Sequence, residues 1–185
     1  MHAETNSAVS DSRLTRFALG IYRADGVSTA CLMLQERFEL DVNLVLFAAF
    51  FGAQEGCALT ATHIDALADR IGPWHAEVVR PLRAVRKRLK TGPAPAPDAR
   101  TAELRNALQR LEIDAELIEL AELAAMGETL EAGPAAGATA TRAAAAIEVV
   151  VGAKSNRELD SDERAAIVRI ADAAAALVGD TARVM

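Results

Sequence analysis

The stretch LDVNLVLFAAFFGA, residues 40–53, is apolar almost throughout, with Asp41 and Asn43 its only polar side chains. Such a run suits a membrane span, the wall of a lipid pocket or the centre of a core, and length separates the first from the others. A helix needs about 20 apolar residues to cross a bilayer, and this one gives way to Gln54 and Glu55. It is too short to span. Asp41 precedes Val42 where an N-cap belongs, its carboxylate placed to accept backbone N–H groups at the positive end of the helix dipole. Asn43 does similar local work or reaches across to another helix. A helix apolar on every side belongs at the buried centre of a bundle, so residues 41–53 are expected to be the element around which the rest packs.

The remainder also reads as helix. Aromatic residues make up only 4% of the 185, and alanine is abundant; it is the best helix former and loses no side-chain entropy. Asp11 or Ser12 can cap a first helix to about Tyr22, and Asp25-Gly26 turns the chain into a second, from about Ser28 to Phe38. Thr60 or Thr62 opens a helix ended by Gly72, with Pro73 suited to the first turn of the next. Pro81 predicts a kink or restart. The segment TGPAPAPDA, residues 91–99, reads as an extended, semi-rigid linker. Asp98 then caps a long helix to about Met126, with Leu104, Leu108, Leu111, Leu117 or Ile118, and Leu120 or Leu123 facing inward. After the breaker GETLEAGPAAGATA come two short alanine-rich helices, the second opened by Asp160 and Glu163 as a capping box. The fold class is therefore all-α: a compact bundle of about seven to eight helices around the central helix 41–53. Residues 11–92 form its core and 98–185 a helical C-terminal part packed on it, joined by the linker 91–97 into one compact domain.

A net charge of −6 argues against a general nucleic-acid binder. The N-terminus MHAETNSAVSDSRL lacks the charged and apolar regions of a secretory signal or anchor, so a cytoplasmic location is expected. Cys31 and Cys57 have no metal-ligand spacing and are expected to be thiols.

The segments FALGIY, ACLMLQ, DVNLVLF and PWHAEVVRPLRAVRKRLK occur in that order. With them the chain resembles an uncharacterised bacterial domain-of-unknown-function family whose signature is ACLxLQ, a DVNLLLF-type segment and PWxxEVVxPLRxxRxxLK. The likeness runs from about Arg16 to Lys90, with a weaker helical likeness through Met126. Phe50 and Phe51 stand where relatives often carry Trp. The resemblance implies a small, cytosolic, all-helical protein and brings no activity, substrate or catalytic residue with it.

Among candidate sites the basic run from Arg80 to Lys90 stands out. Arg80, Arg83, Lys87 and Lys90 share one arc opposite Val78, Leu82, Val85 and Leu89, which suits an anionic ligand or an acidic partner protein. A solvated helix end explains the same charges. So does internal pairing, because Glu112, Glu116 and Glu119 line one face of the next helix and would meet the arginines if the two pack antiparallel. Trp74 is either a recognition anchor or a packing residue. Arg16, Gln35, Asp41 and Asn43 are candidates for a polar pocket between helices. His63, Asp65, His75 and Glu77 are the metal-like set, but His63 and Asp65 point in different directions, and neither a metal nor another cofactor is expected.

No GxSxG, GxGxxG or oriented Cys-His pair is present, and GAKS at 152–155 lacks the rest of a P-loop, so no catalytic residue is assigned. The leading reading is a non-enzymatic helical protein that binds a macromolecular partner through the basic helix end. The alternative is a carrier of an apolar small molecule or lipid, lined by Phe17 and by Phe47 to Phe51; a third is an enzyme built around Asp41, Asn43 and Arg16. Alanine-rich faces also permit a homo-oligomer.

Overall fold

The computed structural model describes residues 12–184, so Asp11 and nearly all of the N-terminal segment discussed above lie outside it. Among the described residues the chain is all-α and folds as seven helical rods. They are α1 (Arg13–Tyr22), α2 (Val27–Phe38), α3 (Val42–Phe50) continued by a π-helical turn (Phe51–Glu55), and α4 (Ala61–Trp74) continued through a second π turn (His75–Val79) into α5 (Arg80–Arg88). Next come α6 (Ala99–Gly127), α7 (Thr139–Gly152) and α8 (Ser161–Val184). None is long and apolar enough to cross a membrane.

The central helix is as its composition dictates. Every side chain from Asn43 to Phe50 is buried, and Asp41 caps it by accepting the Asn43 N–H at 2.8 Å. Phe17 meets Phe50 edge-on at 5.3 Å and Phe47 stacks on Phe51 at 5.4 Å. Phe47 also lies 3.0 Å from where Gly127 would carry a Cβ, so protein atoms close around this ring. Ser12 caps α1, and Gly26, at φ 75°, supplies the left-handed turn into α2.

Three expectations need correcting. Helix α4 does not stop at Gly72: it runs through Pro73 to Trp74. A glycine before the proline offers no Cβ to clash with the ring, and Asp69, whose carbonyl loses its donor, is exposed to water. At Pro81 the helical path continues: the π turn His75–Val79 comes just before it, with the Arg80 N–H reaching back to the His75 carbonyl, and Pro81 falls in the first turn of α5. The segment 91–97 is not extended. The Ala96 N–H donates to the Pro93 carbonyl at 2.9 Å, a reversal that lets α5 and α6 lie antiparallel.

Helix α6 opens at Asp98 as expected, but Leu104, Leu111 and Ile118 are 42–54% exposed. Leu120 and Leu123 face inward as expected, and Ala115, Glu112 and Glu119 complete that face. Helix α8 is 24 residues long rather than short. It opens with the expected capping box: Asp160 Oδ1 accepts the Glu163 N–H and Glu163 Oε2 accepts the Asp160 N–H, both at 2.9 Å.

Glu163 also pins α8 to α2. Closed off from solvent, it accepts from Arg157 at 2.5 and 2.8 Å and from Arg37 at 3.2 Å. The hydrogen bonds from Arg157 dominate over the opposing effect of burial and draw its pKa from 4.5 down to about 2. Because the folded value is the lower one, its stabilisation is complete above pH 4.5 and is lost as pH falls towards 2. Thermal unfolding midpoints should drop steeply across that window, and less steeply in Glu163→Gln. Equal slopes would remove the role assigned to this carboxylate.

Candidate functional site

The capping role leaves Asp41 a second oxygen. While Oδ1 takes the Asn43 N–H, Oδ2 lies 3.0 Å from His75 Nδ1, at the junction of α4 and its π turn. The same nitrogen is 3.2 Å from Glu119 Oε1 on α6. One ring nitrogen therefore faces two carboxylates. Its N–H is aligned with Glu119, and Asp41 Oδ2, shielded from solvent, is left with no hydrogen-bond donor.

Asn43 holds the arrangement together. Its side chain is buried and donates to the Glu116 carbonyl at 3.1 Å and to Glu119 Oε2 at 3.4 Å. It serves as scaffolding, and what it supports is the Asp41–His75–Glu119 cluster. Arg16 is exposed and Gln35 half-buried. Of the four residues expected in a polar pocket, Asp41 and Gln35 line one cleft, and Asn43 stands behind Asp41.

The electrostatics follow from crowding. Burial works against a charged imidazole, but the Asp41 and Glu119 carboxylates that face it outweigh burial and hold His75 at about 9. Burial raises Glu119 to about 8, and the neighbouring Asp41 adds to the rise. Burial would raise Asp41 as well, yet contact with His75 keeps it below the ordinary carboxylate range. Two buried carboxylates beside one another do not both ionise freely.

Asp41 and His75 form part of the wall of a cleft of about 840 Å³ between α2 and the α4–α5 rod. Its lining includes Leu32, Leu40, Leu44 and Ile71; Gln35, Glu36 and Glu39 come from α2 and its end, Arg80, Arg83 and Lys87 from the α4–α5 rod, and Lys154 from the segment after α7. His75 and Asp41 retain 17% and 14% exposure, whereas the Glu119 side chain has none, so the cluster is reached from this cleft. A second cleft of about 640 Å³ lies on the far side of the rod against α6, where Trp74, Ile118 and Glu119 meet.

The basic run is divided. Arg83 donates to Glu112 at 2.8 Å and also to Glu116; Arg86 donates to both oxygens of Glu112, one at 3.0 Å. Arg80, Lys87 and Lys90 make no ion pair among the described residues, and the first two line the cleft. Trp74 is 36% exposed and donates its indole N–H to the Ala115 carbonyl at 3.0 Å, which ties it to α6. His63 caps α4 with Thr60, accepting the Thr60 N–H at 3.3 Å. Asp65 and Glu77 are exposed, so the metal-like set picked out in the sequence is not assembled.

Sequence reasoning placed Glu119 opposite the arginines. The antiparallel seam sets Arg86 and Arg83 against Glu112 and Glu116, and about two turns further along the rod it reaches His75, which meets Glu119. Following the seam that far past Arg83 would have found the pair.

Fold and site together define an all-helical protein with an Asp–His–Glu cluster opening onto a partly basic cleft. The chain belongs to the family described as "Protein of unknown function (DUF2390)", whose sequence model matches residues 13–123 and so takes in all three cluster residues. No curated protein and no solved structure matches it.

Proposed function

We propose that this protein is a helical binding module that takes an acidic, partly apolar segment of a partner protein into the cleft between α2 and the α4–α5 rod. The division of the basic helix carries this reading: Arg83, which also lines the cleft, and Arg86 are paired with Glu112 and Glu116, while Arg80 and Lys87 line the cleft without ion pairs among the described residues. Charges on the edge of a site chiefly steer association and select partners. Leu32, 52% exposed, offers apolar contact to the same segment. The packing of Phe47 against Phe51 and Gly127, together with the absence of Phe17 and Phe47 from both clefts, supports a surface site over an apolar carrier.

The test reverses the free cations and spares the paired ones. Co-purification from the native host with Arg80→Glu/Lys87→Glu should recover at least tenfold less partner than the wild-type chain, at unchanged helicity and with wild-type recovery falling as salt rises. Equal recovery by the double variant would end the proposal.

A further inference from the structure

The Asp41–His75–Glu119 cluster gathers three side chains of metal-ligating type at one point. Three side chains from three separate helical rods bring a carboxylate oxygen, an imidazole nitrogen and a second carboxylate oxygen within 4.8 Å of one another. From these residues we infer that the cluster is a binding site for one divalent transition-metal ion of the zinc or manganese type, held by Asp41 Oδ2, His75 Nδ1 and a Glu119 carboxylate oxygen. The inference rests on the cluster alone and stands whether or not an acidic partner occupies the cleft.

Distances support it first. His75 Nδ1 is 3.0 Å from Asp41 Oδ2 and 3.2 Å from Glu119 Oε1. Ligands about 2.0–2.1 Å from a metal are separated by roughly 3.0 Å at right angles and roughly 3.3 Å at tetrahedral angles. Both observed edges fall in that range. Asp41 Oδ2 is the second, independent observation: it is enclosed, carries a lone pair towards His75 and receives no hydrogen bond. An acceptor left in that condition is costly to bury, and a cation satisfies it.

Charge balance agrees. With the imidazole neutral and both carboxylates ionised, the three ligands carry two negative charges, which one divalent ion neutralises; on binding, the proton on His75 Nδ1 and the proton held by Glu119 pass to solvent, and the metal takes the nitrogen lone pair and the carboxylate oxygen. An imidazole ligand favours a transition metal over magnesium or calcium. Neighbours that orient ligands are also present, since the Asn43 backbone N–H fixes Asp41 and the Asn43 amide fixes Glu119. Three protein ligands leave a coordination position open.

The experiment uses the full chain stripped with a chelator and then titrated with Zn2+ by calorimetry and with Co2+ by visible absorption. One ion per chain with micromolar or tighter affinity is expected, together with a Co2+ spectrum of low coordination number. His75→Ala should weaken binding at least a hundredfold and Asp41→Asn at least tenfold, while His63→Ala leaves it unchanged. Should His75→Ala fail to fold, the thermal midpoint of the wild-type chain still has to rise on adding Zn2+, and that of Asp41→Asn has to rise less. Absence of heat, spectrum and thermal shift in the wild-type chain would overturn the inference, and so would equal binding by wild type and Asp41→Asn, or loss of binding in His63→Ala.

Discussion

Replacing Gly52 by alanine is expected to lower the midpoint of thermal unfolding by about 4–8 °C. A Cβ at this position would stand 2.5 Å from the Arg142 carbonyl oxygen and 2.9 Å from the Ala143 Cα, backbone atoms of α7 that no side-chain rotation can move aside. Overpacking of this kind costs about 3 kcal/mol. Alanine recovers about 1 kcal/mol in helix propensity, which leaves a net loss of about 2 kcal/mol. The same shift of α7 would strain the hydrogen bond from Arg142 Nε to the Gly52 carbonyl, at 3.1 Å. Calorimetry on the purified variant checks this directly, and an unchanged midpoint would mean that α7 can retreat from the central rod at no cost.

Glu112→Ala should be the most damaging change on the α5–α6 seam, by about 2–3 kcal/mol in chemical denaturation. Glu112 is 4% exposed and serves both Arg83 and Arg86, whose side chains are only about a fifth exposed. Removing one partner of a buried pair leaves charge without compensation and costs about 3–5 kcal/mol; the remaining access to water and the retained Glu116 contact of Arg83 bring the figure down. Arg86 loses more than Arg83, so a double-mutant cycle of Glu112→Ala with Arg86→Ala should show a coupling of about 1–2 kcal/mol. Lys87→Ala, one residue away on the exposed face, should change stability by less than about 0.5 kcal/mol. If Glu112→Ala and Lys87→Ala cost the same, the arginines are not structurally engaged, and the whole basic arc becomes available for binding.

Both expectations depend on partners distant in the chain, and the boundary between what sequence and structure reveal runs along the same line. The capping role of Asp41 was readable because an N-cap is a local bond, made within two residues. The burial of residues 43–53 was readable for a related reason: a helix with no polar face has nowhere to go but inside. The exposure of Leu104, Leu111 and Ile118 was not, since helical periodicity marks a stripe without saying whether a neighbour is long enough to cover it.

Proline shows the same division. Pro73 and Pro81 each disturb a helix in isolation, yet the continuous rod over Ala61–Arg88 absorbs one beside a glycine and the other after a π turn. Local rules located the disturbances, and the surrounding packing chose how they were accommodated.

Composition, caps and periodicity by themselves determined that this chain is an all-α bundle built on an apolar central helix, because those terms act through the backbone and its nearest residues. They also supplied Asp41, Asn43, His75 and Glu119 as separate polar residues on three different rods. Only the tertiary structure joined them, because the contact from Asp41 to His75 and on to Glu119 spans much of the family-matched segment, and the antiparallel seating of α5 on α6 decided which carboxylate met an arginine and which met the histidine.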